Sequence, residues 1–396
     1  MSDWLDKITN AHIRDLIPYE SARRLFAASE GQSKVWLNAN ESPTAETFSI
    51  QSEQLNRYPD CQPHNVLASY AKYANLTAQQ IVVTRGADEG IELLIRAFCQ
   101  PGVDKVLVCP PTYGMYAISA NTFNVGVEKV PLRADFSVDV AGVNAFAENA
   151  FAKDAMPEDA MAEDAMAENA IANNIKLVFL CSPNNPTGTL IPQESIESIA
   201  QAYQDKAIVV LDEAYIEFST EAQQTALLNK YRNLVILRTL SKGFALAGIR
   251  CGFVLSSPEI KSILLKVIAP YPVPDPVAQI AAQALSEQGI ALMHKNVSRL
   301  SQALSLLSDK LSDIAHVSLI GEQCGNFVLF KSEYNKALMT FLVDNNMLIR
   351  DQSKQLMLDN CLRISIGTPA QNTQLVALIH TFFARIQNSN NQEAVS

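Results

Sequence analysis

Short, almost continuous runs of hydrophobic residues alternate with amphipathic stretches through the middle of the chain. The runs are KVLVCPPTY, KLVFLCSPNNPTG, KAIVVLDEAY, NLVILRTLSK and RCGFVLSS, and each is rich in Val, Ile or Leu before it ends in polar or turn residues. Such runs predict strands that are buried on both faces, because a half-exposed strand would alternate with polar residues. ADEGIELLIRAF before the first run and PQESIESIAQAYQ before the third have a helical period instead. The alternation predicts an α/β fold with a mostly parallel sheet.

The pattern changes at about residue 290, and a second, smaller unit is predicted beyond that point. The amphipathic stretch IALMHKNVSRLSQALSLLSDKLSDI comes first, followed by short strand-like runs and a final helical stretch. We expect residues 46–290 to form a large domain and residues 291–396 a small α+β domain, since 396 residues exceed the usual size of one core. Residues 1–45 precede the first clear strand, and we expect them to pack with the small domain.

An acidic, low-complexity segment interrupts this pattern at about residues 148–174. It repeats around EDAMA every five residues and has seven acidic residues and one lysine, which is −6 of the chain's net charge of −10. A five-residue step turns a helix by about 140°, so no apolar stripe can persist along it. We expect a solvated insertion between two structural elements, partly helical and partly disordered, rather than an acidic docking element.

Composition and charge exclude several classes of function. A net charge of −10 argues against a nucleic-acid partner. No apolar run reaches the length of about 18 residues that a membrane span requires, and the N-terminus lacks the pattern of a secretory signal. The seven cysteines are dispersed without a CxxC pair, and the five histidines are also far apart. We therefore predict reduced thiols, a cytoplasmic location and no metal site.

The predicted strands end in residues with polar or reactive side chains. Asp212 ends the run AIVVL, Asn185 follows LVFLC, Ser241 and Lys242 follow NLVILRTL, and Tyr113 follows VLVCPP. Ligands of open α/β sheets bind at the carboxyl ends of the strands, so we expect these side chains to share one edge. Taken singly, each has an ordinary structural explanation, such as a helix cap, a turn or a surface position. Their joint arrival at one edge favours a ligand site.

A carboxylate, an amide, an aromatic ring and an amine together suit an aldehyde cofactor. A lysine amine forms a Schiff base with a carbonyl group, and pyridoxal phosphate also needs an acidic partner for its ring nitrogen. We assign these two roles to Lys242 and Asp212, contacts with the ring oxygen to Asn185 and Tyr215, and stacking on the ring to Tyr113. The groups expected to bind the cofactor's phosphate are the backbone of Ala87 and Asp88 at a predicted helix start, Ser241 and Arg250.

SPNNPTG, LDEAY and SKGFALAGIRCGF together resemble the type I pyridoxal-phosphate aminotransferases, and the resemblance extends over nearly the whole chain outside the acidic segment. PYESARR, LNANESP, LNRYPD and LRISIGT resemble the histidinol-phosphate aminotransferase family within that group. The resemblance implies the aspartate aminotransferase-like fold, with a large domain around a mixed sheet and a small domain made from both chain ends. It also implies a homodimer in which each active site is completed by the other subunit.

The resemblance also assigns roles to residues outside the predicted sheet edge. Tyr58 in NRYPD would reach the cofactor phosphate of the partner subunit. Arg363 in LRIS would bind the anionic end of the substrate, with Tyr19 and Arg350 as further contacts. The two arginines fall on two predicted strands of the small domain, which could bring them to one site. The chain departs from the family in the length of its acidic segment and in Gly243, the residue after the lysine, and we expect neither to disturb the site.

The activity implied by the resemblance is transfer of the amino group from L-histidinol phosphate to 2-oxoglutarate, giving imidazole-acetol phosphate and L-glutamate in L-histidine biosynthesis. Two other enzymes remain as alternatives: an aromatic amino acid aminotransferase and a pyridoxal-phosphate decarboxylase of a phosphorylated amino acid. A binding protein without catalysis is a further alternative, but it would not need the amine of Lys242. Two arginines and a tyrosine suit a phosphate better than a single carboxylate, which favours the phosphorylated substrate.

Overall fold

The computed structural model describes residues 3–17, 34–53, 55–154 and 174–393. Tyr19 and residues 155–173 of the acidic segment lie outside these residues. The helices are α1 Asp3–Ile8, α2 Ala11–Arg14, α3 His64–Ala74, α4 Ala87–Phe98, α5 Met115–Thr122, α6 Val140–Asp154, α7 Gln193–Ala202, α8 Pro258–Val267, α9 Asp275–Ala284, α10 Glu287–Ser312, α11 Asn335–Asp344 and α12 Pro369–Glu393. The strands are β1 Val35–Trp36, β2 Ile81–Thr84, β3 Lys105–Val108, β4 Gly126–Lys129, β5 Ile175–Cys181, β6 Ile208–Asp212, β7 Leu234–Thr239, β8 Gly252–Leu255, β9 Ser318–Leu319, β10 Phe327–Lys331, β11 Met347–Leu348, β12 Arg350–Asp351 and β13 Cys361–Ser365. Short 3-10 helices lie at Ala78–Gln80, Ile216–Phe218, Thr220–Ala222, Thr225–Asn229 and Ala247–Ile249.

A seven-stranded sheet in the order β2-β8-β7-β6-β5-β3-β4 forms the centre of the protein. Neighbouring strands from β7 to β4 are parallel, whereas β8 is antiparallel to both β7 and β2. The predicted α/β fold with a mixed, mainly parallel sheet is therefore confirmed. The hydrophobic runs of the sequence correspond to β3, β5, β6, β7 and β8. Sequence patterns did not predict β2 or β4. Strand β4 is an edge strand without a fully buried residue, so it lacks the continuous hydrophobic run of the inner strands.

Helices cover both faces of the central sheet, which explains why its strands are almost continuously hydrophobic. Along β6, Val209 and Leu211 belong to the core cluster that includes α3, α7 and α9. Ile208 and Val210 belong to the cluster on the opposite face, with α4, α5 and α8. Burial of one such side chain contributes roughly 1.5–3 kcal/mol, so both layers anchor the strand. The carboxyl ends of these strands are consequently a rigid base for functional groups.

A second, antiparallel sheet in the order β12-β13-β10-β9 is formed by residues from the C-terminal part of the chain. Strand β1 pairs in parallel with β11, which places an N-terminal strand against C-terminal residues. Helix α10 contacts both cores: Met293 and Val297 pack with the core of the central sheet, and Leu300 and Leu304 pack with the core of the second sheet. Since one helix joins the two cores, a domain boundary near residue 290 stays a prediction.

The acidic segment begins inside a helix. Residues 148–154 continue helix α6, which ends at Asp154. Among the helices that the structure describes, none is both long and apolar enough to cross a bilayer.

Candidate active site

A cavity of about 590 Å³ opens at the carboxyl edge of the central sheet. Its volume lies within the range of roughly 300–1,000 Å³ that small-molecule sites occupy. Among the predicted site residues that the structure describes, all except Tyr58 line it. These lining residues are Ala87, Asp88, Tyr113, Asn185, Asp212, Tyr215, Ser241, Lys242, Arg250, Arg350 and Arg363.

Strand register explains why residues so far apart in sequence meet at this cavity. Cys181 at the end of β5 lies opposite Asp212 at the end of β6, and Asp212 lies opposite Leu237 near the end of β7. The residues that follow these parallel strands therefore emerge at the same edge. Strand β8 runs in the opposite direction and begins at Gly252, so Arg250, just before it, also lies at this edge.

The amine of Lys242 is held by the backbone at the side of the cavity. Its Nζ donates to the carbonyl oxygen of Ala39 at 3.0 Å and to that of Asn40 at 3.2 Å. The same nitrogen lies 5.7 Å from the centre of the Tyr215 ring. Removal from bulk water and, to a smaller extent, the positive charge of Arg363 together lower the pKa of Lys242 to about 8. A neutral amine, able to act as a nucleophile or base, is therefore accessible near neutral pH.

Asp212 is a buried carboxylate with a fixed orientation. The hydroxyl of Tyr116 donates to its Oδ2 at 2.7 Å, and the backbone N–H of Ala214 donates to its Oδ1 at 3.0 Å. Burial raises the pKa of Asp212 to about 6, although both hydrogen bonds act in the opposite direction. The side chain is thus an ionised hydrogen-bond acceptor at neutral pH.

Tyr215 is positioned by a residue from the N-terminal part of the chain. The amide Nδ2 of Asn40 donates to the Tyr215 hydroxyl oxygen at 2.9 Å, across a sequence separation of 175 residues. Burial raises the pKa of Tyr215 to about 12, so the phenol keeps its proton. Since its oxygen accepts from Asn40, this proton is available to an acceptor in the cavity.

One end of the cavity combines a helix N-terminus with a hydroxyl and a guanidinium. Helix α4 begins at Ala87 after Gly86, whose φ of +82° favours glycine. A Cβ atom at Gly86 would lie 2.6 Å from an Nη of Arg250, so a side chain here would occupy the position of the guanidinium. Arg250 donates to Oγ of Ser241 at 3.3 Å and to Asp88 at 3.1 Å. Free backbone N–H groups, a hydroxyl and a guanidinium are together suited to a phosphate group.

The two predicted substrate arginines are direct neighbours in the second sheet. Arg350 on β12 lies opposite Arg363 on β13. Arg363 is only 7% exposed, and it donates to Oδ1 of Asn185 at 2.5 Å and to the carbonyl oxygen of Asn38 at 2.9 Å. The expectation that two strands bring both arginines to one site agrees with this geometry. Their positive charges form the other end of the cavity.

Tyr58 does not reach the cavity of its own chain. Its side chain is 81% exposed and stacks on the ring of Tyr271, with the ring centres 4.4 Å apart. The role predicted for Tyr58 is at the active site of the partner subunit, so the structure of a single chain does not test it. Tyr19 lies outside the described residues.

Comparison with known proteins identifies the family. The family described as "Aminotransferase class I and II" matches residues 23–379. The histidinol-phosphate aminotransferase of Pseudoalteromonas atlantica is 50% identical over 394 residues, which cover 100% of this chain and 99% of that protein. This chain belongs to the histidinol-phosphate aminotransferase family. The enzyme of the same name from Pectobacterium carotovorum is 45% identical, over 95% of this chain and 98% of that protein.

Solved structures agree with the aminotransferase fold. The histidinol-phosphate aminotransferase from Sinorhizobium meliloti, determined in complex with pyridoxal-5'-phosphate, has a TM-score of 0.77 and covers 95% of this chain and 98% of its own, at 21% identity. The L-threonine-O-3-phosphate decarboxylase from Porphyromonas gingivalis has a TM-score of 0.66, 20% identity and coverage of 83% of this chain and 91% of its own. These two similarities establish the fold alone. They confirm the aspartate aminotransferase-like fold predicted from the motifs.

Three residues that the sequence motifs left without a role contribute to the site of this aminotransferase. Asn40 and Tyr116 bond directly to Tyr215 and Asp212, and Gln352 lines the cavity beside Arg350. Asn40 belongs to LNANESP. This motif indicates the family, but it does not show which side chain each of its residues contacts. Tyr116 lies in the first turn of helix α5, and its contact with Asp212 has no signal in the local sequence.

Gly243, the residue after Lys242, is closely packed against Glu217. A Cβ atom at Gly243 would lie 2.6 Å from Cβ of Glu217, closer than two carbon atoms can approach. The buried Glu217 therefore requires glycine directly after Lys242. This packing explains the glycine at position 243. The expectation that Gly243 leaves the site undisturbed stays a prediction.

No grouping of three or more His, Cys, Asp or Glu side chains suited to a metal ion occurs in the described residues. The seven cysteines are all free thiols. Burial raises the pKa of Cys181, which lies beside Asp212, to about 12. This thiol is therefore protonated at neutral pH and is no nucleophile.

Proposed function

We propose that this protein transfers the amino group of L-histidinol phosphate to 2-oxoglutarate with pyridoxal phosphate as cofactor, giving imidazole-acetol phosphate and L-glutamate in L-histidine biosynthesis. The observation that carries the proposal is the convergence of the Lys242 amine, the Asp212 carboxylate and two anion-binding ends in one cavity. The full-length relatives named histidinol-phosphate aminotransferase support this activity over the aromatic aminotransferase and decarboxylase alternatives.

The residues present fit pyridoxal phosphate. The cofactor has an aldehyde, a ring nitrogen, a ring oxygen and a phosphate, and the cavity offers a group for each. Lys242 would hold the aldehyde carbon and Asp212 the ring nitrogen. Asn185 and Tyr215 would contact the ring oxygen, and Tyr113 would stack on the ring. The phosphate would bind the N-terminus of helix α4, Ser241 and Arg250, where the absence of a side chain at Gly86 leaves space for the guanidinium.

The chain's own groups can perform the proton transfers of the reaction. When bound, pyridoxal phosphate supplies an electron sink for negative charge at the amino-bearing carbon of the donor. Once its amine is released by the donor, Lys242 can take the proton from that carbon, because a pKa of about 8 leaves a useful fraction neutral. Asp212, ionised above about pH 6, stabilises a proton on the ring nitrogen. Tyr215 can donate its hydroxyl proton to the ring oxygen.

Arg350 and Arg363 are proposed to bind the anion of each substrate in turn. The amino donor, L-histidinol phosphate, carries a phosphate, and the amino acceptor, 2-oxoglutarate, carries carboxylates. Guanidinium groups pair with both kinds of anion through parallel hydrogen bonds. The neighbouring position of the two arginines supports binding of a doubly charged phosphate. Tyr19 would add a hydroxyl to the same anion.

Replacement of Lys242 by Ala tests the catalytic assignment. Wild-type protein should bind pyridoxal phosphate in a form that borohydride fixes to Lys242, identified by mass spectrometry of the peptide. Lys206→Ala is a matched control, because Lys206 is also half-buried and donates to two carbonyl oxygens, those of Ala147 and Ala202, but lies away from the cavity. We expect Lys242→Ala to lose both the fixed cofactor and turnover, and Lys206→Ala to keep them. Turnover by Lys242→Ala would contradict the assignment.

We further propose a homodimer in which Tyr58 of one subunit reaches the cofactor phosphate of the other. The high exposure of Tyr58 and its stacking on the partly exposed Tyr271 support a position at an interface. Inactive Tyr58→Ala and Lys242→Ala proteins, refolded together, should regain activity, because a hybrid dimer contains one complete site. Random pairing predicts activity of roughly a quarter of wild type. A mixture no more active than its two components would refute a shared site.

The domain division also remains a proposal. Residues 46–290 would form the cofactor-binding domain, and residues 1–45 and 291–396 would form the smaller one; pairing of β1 with β11 supports this arrangement. We propose that the acidic segment is a passive insertion, and that deletion of residues 152–172 leaves activity largely intact. A folded but inactive deletion protein would contradict this. Free, dispersed cysteines support a reducing compartment such as the cytoplasm.

A further inference from the structure

Tyr116 makes a direct hydrogen bond to Asp212, although neither the motifs nor the proposed mechanism gives it a role. It lies in the first turn of helix α5 and is fully buried. Its hydroxyl donates to Oδ2 of Asp212, while the N–H of Ala214 occupies Oδ1. Each carboxylate oxygen thus has one fixed donor, and the lone pairs that remain can accept a donor from the cavity. This arrangement fixes the direction in which Asp212 can bind a ligand.

The ring of Tyr116 is locked between two other aromatic rings. It stacks on Phe179 of β5 with the ring centres 4.8 Å apart and the planes at 8°. It also meets Tyr113 edge-on, with the centres 5.6 Å apart. Because both neighbours restrict rotation, the hydroxyl stays directed at Asp212. Tyr116 therefore also connects Asp212 with Tyr113, the residue proposed to stack on the cofactor.

Negative charges near Asp212 oppose its ionisation, so a neutral hydrogen-bond donor such as Tyr116 is needed to favour the ionised carboxylate. The negative charges of Asp88 and Glu213 both raise the pKa of Asp212, in addition to burial. The thiol of Cys181, directly opposite in the sheet, is protonated at neutral pH. Burial raises the pKa of Tyr116 well above its usual value, so its hydroxyl remains a donor. The bond from Tyr116 is consequently one of the few contacts that favour the ionised carboxylate.

We propose that Tyr116 is a positioning residue for the cofactor: its hydroxyl keeps Asp212 ionised and directs the carboxylate at the ring nitrogen of pyridoxal phosphate. The proposal rests on the proposed function for the identity of the cofactor. Tyr116 does not touch the cofactor in this scheme and acts through Asp212 alone. Loss of its hydroxyl should therefore weaken cofactor binding in a pH-dependent way.

The first test compares Tyr116→Phe with Tyr203→Phe. Tyr203 is a matched control, because it is also buried and its hydroxyl donates to the carbonyl oxygen of Val143 at 2.8 Å, in the core away from the cavity. The measurement is the dissociation constant of apo-protein and pyridoxal phosphate between about pH 5 and pH 9. We expect Tyr116→Phe to weaken binding about 10-fold or more near pH 7, as for loss of a hydrogen bond to a charged group. The pH below which affinity falls should rise by about one unit. Tyr203→Phe should change neither.

A double-mutant cycle tests whether Tyr116 acts through Asp212. In an Asp212→Ala background, Tyr116→Phe should cause no further loss of cofactor affinity. Additive losses, or equal effects of Tyr116→Phe and Tyr203→Phe in the wild-type background, would overturn the proposal. If circular dichroism shows that Tyr116→Phe does not fold, Phe179→Leu serves instead, since it loosens the ring and keeps the hydroxyl. It should shift the pH dependence in the same direction, and an unchanged dependence would overturn the proposal.

These measurements use no amino donor, so they are independent of the substrate assignment. A wild-type protein that binds pyridoxal phosphate but does not react with L-histidinol phosphate would contradict the proposed function and leave the role of Tyr116 intact.

Discussion

The buried carboxyl group of Glu217, which contacts the residue directly after Lys242, gives a quantitative prediction for the pH dependence of stability. Glu217 is 3% exposed, packs against Gly243 and has an Oε2 atom without a hydrogen-bond partner among the described residues. Burial raises its pKa to about 7, although the charge of Arg238 acts in the opposite direction. Arg238 is itself engaged by Glu213, in an ion pair of 2.6 Å that is 1% exposed on both sides. Glu217 is therefore held in a site that favours its protonated form.

The direction and size of the change in stability follow from the shift in the pKa of Glu217. The folded protein binds the proton of Glu217 more tightly than the unfolded chain, so this stabilisation is complete below the unfolded pKa of 4.5 and is lost as pH rises through about 7. A shift of roughly 2.5 units corresponds to about 3 kcal/mol. Because the unfolded carboxyl is already partly ionised at pH 5, about 2–3 kcal/mol of this should be lost between pH 5 and pH 9.

Glu217→Gln removes the titration and keeps the shape of the side chain. The assay is urea unfolding of the apo-protein at pH 5 and pH 9, followed by circular dichroism. We expect the variant to gain about 2–3 kcal/mol in free energy of unfolding relative to wild type on going from pH 5 to pH 9. Glu221→Gln, on the exposed 3-10 helix close by, should show no such change. If Glu217→Gln and wild type differed in free energy of unfolding by the same amount at pH 5 and pH 9, the reasoning would be refuted.

Three further predictions concern Gly243, Lys242 and Arg363. Gly243→Ala should lower the free energy of unfolding by about 1–3 kcal/mol, because the added Cβ would overlap Glu217. Gly248→Ala is the control, because the space around Gly248 is open. Equal urea midpoints of the two variants would contradict the prediction. The rate at which apo-protein captures pyridoxal phosphate should rise with pH and level off above about 8, as the Lys242 amine loses its proton; a rate still rising at pH 10 would refute the lowered pKa. Arg363→Lys should raise KM for L-histidinol phosphate about 10- to 100-fold, since one ammonium cannot replace the separate bonds to the amide and carbonyl partners; an unchanged KM would contradict it.

Local sequence patterns were sufficient for five of the seven strands of the central sheet and for the residues at its carboxyl edge. Lys242 and Asp212 follow long apolar runs, and parallel strands deliver such residues to one edge regardless of other detail. Arg350 and Arg363 were harder, because they depend on antiparallel register in a second sheet. The family motif, rather than any local pattern, singled them out.

What the patterns could not provide are contacts between distant segments. Asn40 meets Tyr215 across 175 residues, and Tyr116 meets Asp212 across 96. Neither pair has a local signal, since each depends on how helices and loops pack on the sheet. The need for Gly243 likewise depends on Glu217, which reaches it only in the folded protein.

The central proposal, transamination of L-histidinol phosphate, is tested most directly by the first half-reaction. Wild-type protein loaded with pyridoxal phosphate is mixed with L-histidinol phosphate, L-phenylalanine or O-phospho-L-threonine without a keto acid, and the absorption spectrum and released CO₂ are measured. We expect rapid conversion of the cofactor to pyridoxamine phosphate with L-histidinol phosphate, slower conversion with phenylalanine, and no CO₂ from phosphothreonine. No spectral change with L-histidinol phosphate, or CO₂ release from phosphothreonine as the faster reaction, would contradict the proposal.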